Sequence, residues 1–213
     1  MLFENGCKLI MIGDSVTDCG RSMPVGDGLY NETGYGYVSL IQGNLTAVYP
    51  DRGIRVINMG VSGDTVRNLK ARWEKDVIAL KPDWLSVMIG VNDVWRQFDA
   101  PFEKEKHVYL EEYAQTLEEL VRVTKPMLKG LVLMTPCYIE PNAVDPMRSV
   151  MDRYGLAVKG IARKYGTYFI DTQAAFNKVL AVISSNTFAR DRVHPNMAGH
   201  TILAREFLRM IEF

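Results

Sequence analysis

The sequence predicts an α/β protein, a doubly wound, three-layer arrangement built on a five-stranded parallel sheet. Three observations carry that expectation. Short apolar runs alternate with longer segments of helical period along the chain. The runs lack the polar–apolar alternation of a half-exposed strand, so they read as strands buried on both faces. Five such units in 213 residues also fall well short of the roughly 250 residues and eight strands of a closed barrel.

The first run is Lys8 to Ile12, followed by Gly13-Asp14-Ser15-Val16-Thr17-Asp18. A Gly- and Tyr-containing stretch, Arg21 to Gly36, reads as a loop on the substrate side, and helical period then covers Tyr35 to Tyr49. The second run, Ile54 to Asn58, leads into Met59-Gly60-Val61-Ser62-Gly63-Asp64 and a helix over Thr65 to Leu80. The third, Trp84 to Ile89, ends in Gly90-Val91-Asn92-Asp93. In the next helical segment, His107 to Lys125, Leu110, Tyr113, Leu117, Leu120 and Val121 share one face. Gly130 to Met134 and Thr167 to Ile170 supply the last two strands, separated by a helix over Met147 to Tyr165. Met197 to Ile211, with Ile202, Leu203, Phe207, Leu208 and Ile211 on one stripe, closes the fold as a helix.

Composition narrows what such a fold could do. At this length one domain, residues 1–213, is the expectation. Apolar residues make up 47% and charged residues 23%, enough for a sizeable core and too few charges for wholesale disorder. Lysine plus arginine (25) balances aspartate plus glutamate (25), which argues against nucleic acid as a partner. No run approaches membrane-spanning length, so no membrane partner is expected. Residues Met1 to Lys8 lack the order of a secretory signal, and the three widely spaced cysteines (Cys7, Cys19, Cys137) suggest neither a disulfide framework nor a metal site. The expected location is therefore cytoplasmic, with no metal and no cofactor.

In open α/β sheets, ligands bind beyond the carboxyl ends of the strands, so the residues after each strand are the candidates. Ser15 follows the first strand and could project there as a nucleophile; Asp14 and Ser15 could equally cap a turn. Gly63 precedes a helix and could offer a free N–H to an oxyanion, or simply form a turn. Asn92 could donate its amide to a developing charge, or tolerate an unusual backbone angle. Of the three histidines, His107 reads as solvated surface and His200 as packing or surface. His194 has Asp191 three residues earlier, a spacing that lets the carboxylate reach Nδ1 and leave Nε2 free to accept a proton. A purely structural Asp–His contact is the alternative.

Together these residues resemble the SGNH hydrolases, also called the GDSL esterase/lipase family, whose four letters match Ser15, Gly63, Asn92 and His194. The likeness runs from Lys8 to the final helix, with Val16 standing where leucine or isoleucine is common. It implies a flavodoxin-like SGNH hydrolase fold and a Ser15–His194–Asp191 triad. It also implies an oxyanion hole of the Ser15 N–H, the Gly63 N–H and the Asn92 side chain. Activity should then fall below about pH 6 to 7, where a histidine base takes up its proton. The stretches from Gly13 to Arg21, Leu69 to Trp73, Ile89 to Gln97 and Asp171 to Phe176 are similar to bacterial intracellular acetylxylan esterases. This implies a small acetylated carbohydrate or ester as substrate and leaves a homo-oligomer open. Asp14, Trp95, Tyr30 and Tyr138 are the candidate substrate-binding residues, the three aromatics in loops near strand ends. Arg96 reads as pairing with a carboxylate. A lipase, lysophospholipase or thioesterase is the alternative, and a non-catalytic receiver module would leave Asp191 and His194 unexplained.

Overall fold

The computed structural model describes residues 1–25 and 32–213. Five parallel strands form one sheet: β1 (Lys8–Gly13), β2 (Arg55–Gly60), β3 (Trp84–Met88), β4 (Gly130–Met134) and β5 (Tyr168–Ile170). Their order is β2-β1-β3-β4-β5. The order reverses at β1, so the crevice between the carboxyl ends of β1 and β3 is the topological switch point.

The unalternating apolar runs have a direct cause. Ile10, Ile12, Leu85, Val87, Leu131 and Leu133 point to one face of the sheet and join one core. Their neighbours Leu9, Met11, Trp84, Met88, Val132 and Met134 point to the other face and join a second core. A strand sandwiched this way needs apolar residues at every position. The first core is closed by α3 (Val66–Trp73), α4 (Val91–Asp99), α5 (Leu110–Thr124) and α6 (Pro146–Tyr165). The second is closed by α2 (Tyr37–Val48), α7 (Thr172–Leu180) and α8 (Met197–Met210). The first helix in the chain, α1 (Ser15–Asp18), is a single turn at the carboxyl end of β1.

Five helices and five strands agree with the sequence expectation to within a few residues at each end. Beyond Trp73, the expected helix runs on as a wider π-helical turn over Glu74–Ile78. Three further helices lie outside that expectation. α1 is too short to show a period, and α4 begins on Gly90-Val91-Asn92-Asp93, whose polar side chains serve the site. The Asp171 carboxylate caps α7 by accepting the Ala174 N–H. A helix start, rather than His107, is what Leu110 marks; the imidazole of His107 is buried beside the Ala100 carbonyl and the Tyr109 hydroxyl. That reading of His107 as surface is corrected, because the chain folds back over 104–106 before the helix begins.

Candidate active site

Ser15 opens α1 immediately beyond β1. Gly13 has no side chain because β3 runs too close: a Cβ there would lie 2.2 Å from the Met88 carbonyl oxygen. Asp14 is buried, and its carboxylate accepts the Val16 N–H as the cap of α1. Burial pushes its pKa up to about 7 against the pull of the Val16 N–H and the nearby His194. It therefore holds the turn that presents Ser15 and offers no surface to a sugar. The Ser15 N–H, at the first position of the helix, makes no hydrogen bond among the described residues, as expected for a helix start.

His194 meets Ser15 from across the sheet edge. Its Nε2 lies 2.9 Å from Ser15 Oγ, and its Nδ1 lies 2.6 Å from Asp191 Oδ2. Asp191 Oδ1 accepts the Val193 and His194 N–H groups at 3.0 and 2.8 Å. Burial would raise the Asp191 pKa, but the hydrogen bonds from the His194 ring and these two amides outweigh it and hold the carboxyl below the usual range. An ionised carboxylate only accepts, so Nδ1 carries the proton and Nε2 is left as the acceptor for the serine hydroxyl.

Gly63 and Asn92 follow β2 and β3, and Asn92 is tied to the residue after Gly63. Gly63 sits in a turn with φ +88°, and its N–H is unpaired among the described residues. The helix behind it starts at Val66 with Thr65 as cap, so Gly63 lies just ahead of the helix rather than at its end. Asn92 Nδ2 donates to the Asp64 carbonyl at 3.0 Å, which fixes the amide orientation and leaves its second N–H free. Gly90, with φ +128°, lets the chain turn from β3 into α4 so that Asn92 stands in the first helical turn.

Several anchors of this arrangement carried no motif signal. Buried Asn58 donates to the Thr17 and Thr33 carbonyls at 2.7 and 2.9 Å, tying β2 to α1. Arg72 binds the Asp64 carboxylate at 2.6 Å and the carbonyls of Met59 and Gly13 at 2.8 and 3.0 Å, which pins the turn holding Gly63. Asp93 is fully buried and accepts the Val66 N–H at 3.0 Å, joining α4 to the start of α3. Burial raises its pKa to about 8. A helix period explains Arg72 and a turn explains Asp93, so neither stands out in sequence alone.

The substrate-binding candidates scatter. Tyr30 lies outside the described residues. Trp95 is on α4, not in a loop, half-buried and packed at a steep angle to the His194 ring, with 5.6 Å between ring centres. Tyr138 is buried at 5% exposure beneath the Arg192 guanidinium, 5.1 Å from its ring centre, so neither ring face is free for stacking. Arg96 pairs with Asp99, as expected, and lies over the Trp95 ring at 4.6 Å. Cys19 makes a 3.3 Å contact with His200 Nε2. His200 is buried, as a packing role requires. Among the described residues no cluster of three or more His, Cys, Asp or Glu could hold a metal ion. No described helix is long and apolar enough to cross a membrane.

A sequence profile of the GDSL-like lipase/acylhydrolase family matches residues 11–202, which include every one of these site residues. The chain belongs to that family. The acetylxylan esterase of Geobacillus stearothermophilus is 61% identical over 213 residues, spanning 100% of this chain and 97% of that one. The crystal structure of that enzyme, Axe2, superposes with a TM-score of 0.97 at 61% identity and the same coverage. Its S15A, D191A and H194A variants are described as catalytic mutants. LAE5, an alpha/beta hydrolase enzyme from the metagenome of Lake Arreo, is 48% identical with a TM-score of 0.97, covering 100% of this chain and 98% of its own. The match to Axe2 takes in the five-stranded parallel sheet and the helices on both of its faces.

Proposed function

We propose that the chain is a serine carboxylic-ester hydrolase that removes acetyl groups from xylo-oligosaccharides. One observation carries the chemistry: a continuous hydrogen-bonded line from Ser15 Oγ through His194 to Asp191. Ser15 Oγ attacks the ester carbonyl carbon while its proton passes to His194 Nε2, and Asp191 stays ionised to stabilise the imidazolium. The oxyanion is met by the free N–H groups of Ser15 and Gly63 and the Asn92 amide. Collapse expels the sugar oxygen, which takes the proton from Nε2 and leaves an acetyl ester on Ser15. Water then attacks that ester by the same route and releases acetate.

The choice of acetylated xylose units rests on the likeness to the acetylxylan esterase of Geobacillus stearothermophilus along the whole chain. The proposed working unit is one catalytic domain over residues 1–213. A cytoplasmic location suits the three unpaired cysteines. Wild-type protein should release acetate from acetylated xylo-oligosaccharides and take a fluorophosphonate label. In Ser15→Ala both signals should vanish, with activity down at least ~10⁴-fold and the protein still folded. Substantial turnover in Ser15→Ala refutes the nucleophile assignment. Activity that rises with acyl-chain length refutes the acetyl-ester assignment and favours a lipase-like substrate.

A further inference from the structure

Which way the sugar leaves follows from where the proton is delivered. His194 Nε2 must protonate the departing oxygen, so the alcohol has to lie within hydrogen-bond reach of the imidazole. Two grooves open beside the site, one walled in part by Gly63 and the other by Trp95, the ring neighbour of His194. One, about 320 Å³, is walled by Gly63 on the proposed oxyanion side and by Arg67, Arg96, Glu105 and Lys106, without an aromatic side chain. The other, about 360 Å³, is lined by Trp95, Phe98, Asp99, Tyr138, Asp145 and Arg192. It adjoins the imidazole through Trp95, whose ring centre lies 5.6 Å from that of His194. The Arg96 guanidinium stacked on Trp95 forms the ridge between the two.

We propose that the groove on the imidazole side is the glycosyl subsite, where the sugar losing its acetyl group lies against Trp95 and Phe98. The assignment rests on the ester-hydrolase reading above and adds a direction to it. Its chemistry suits a neutral sugar. Phe98 keeps 39% of its surface exposed beside the half-buried indole, giving the apolar C–H face of a pentose two ring surfaces to cover. Asp145 uses Oδ1 to cap α6, and its Oδ2 stands 3.9 Å from Arg192, open to a sugar hydroxyl. Tyr138, covered by Arg192, forms the floor.

The three tryptophans make the test direct. Trp73 and Trp84 are buried at 5% and 4% exposure, which leaves Trp95 as the reporter. Ser15→Ala protein titrated with unacetylated xylotriose should give a saturable fluorescence change, and calorimetry on the same pair should give a matching Kd. Adding Phe98→Ala should raise that Kd at least fivefold. In otherwise wild-type enzyme, Phe98→Ala should lose at least tenfold more kcat/KM on acetylated xylotriose than on p-nitrophenyl acetate. Calorimetric binding without a fluorescence change, equal losses on the two substrates, or a stronger effect of Arg67→Ala than of Phe98→Ala would each overturn the placement. Absence of binding by either method would overturn it as well. Xylotriose binding at Trp95 without ester hydrolysis by the wild type would sink the enzymatic reading alone.

Discussion

Ser15, Gly63 and Asn92 stand within a few residues of the ends of β1, β2 and β3, whereas Asp191 and His194 ride on the long connection between α7 and α8. The first group is fixed by polar anchors, buried Asn58 and Asp93 and half-buried Arg72, each binding backbone close to a site residue. The second group is about four-tenths exposed and is shaped mainly by its own turn, in which Asp191 accepts two amides and the ring of His194. Arg192, between them, adopts a left-handed φ of +63°, a costly conformation for a residue with a side chain. Its carbonyl accepts the Ile139 N–H at 2.8 Å, which docks the turn to the segment after β4. The contrast teaches that the groups proposed as donors for a developing charge take their position from the sheet. The base takes its orientation from a short turn, docked to the segment after β4 through both the carbonyl and the guanidinium of Arg192.

The sharpest way to break this contrast is Asp191→Asn. An asparagine could still accept the Val193 and His194 amides through Oδ1, so the turn should survive. Its NH₂ would face Nδ1, however, and force the proton onto Nε2, which then cannot accept from Ser15. The expected result is a fall of about 10⁴-fold in kcat on p-nitrophenyl acetate with little change in KM. Near-wild-type turnover would mean that the carboxylate merely shapes the turn.

A smaller effect is expected on the sheet-anchored side. Asn92→Ala removes one oxyanion donor and the tether to the Asp64 carbonyl. It should cost about 10²- to 10³-fold in kcat, roughly 3 to 4 kcal/mol of transition-state stabilisation. Steady-state kinetics on the same ester decides it. A loss confined to KM would show that Asn92 only binds substrate.

The same division explains what sequence could reveal. Parallel strands buried on both faces betray themselves by composition, and the residues at their carboxyl ends stand in short stretches beside them. The Asp191-to-His194 pair is visible because one turn holds both partners. Trp95 and Tyr138 were harder, since their value depends on which ring faces remain open. Arg96 covers one, and Arg192 covers the other. Asn58, Arg72 and Asp93 act through carbonyls and amides of distant segments, contacts that no local spacing encodes. Helix α4 does carry a helical period in Val91, Val94, Trp95 and Phe98, but over nine residues only, directly after a strand whose apolar run it continues.

His200 joins the two halves, and its titration gives the mildest test. From α8, just beyond the base-bearing loop, it reaches Cys19 at the end of α1 and accepts the Tyr37 N–H on Nδ1 at 3.2 Å. With Nδ1 accepting, the proton sits on Nε2 and the ring is neutral. Burial lowers its pKa to about 4, with the nearby His194 adding to the effect. The unfolded chain, whose histidine titrates near ~6.5, therefore takes up the proton first. Stability from this group is present above about pH 6.5 and is lost as pH falls toward 4, by about 3 kcal/mol in all. Asp14 and Asp93, with pKa values raised by burial to about 7 and about 8, work in the opposite sense, favouring the fold as pH falls through that range. Comparing variants cancels their contribution. Urea unfolding of wild type and His200→Gln at pH 7 and pH 4.5 should show the wild type losing up to about 3 kcal/mol more than the variant. Parallel losses would mean that the clamp between the halves does not depend on a neutral imidazole, and that the base-bearing loop is held to α1 by packing alone.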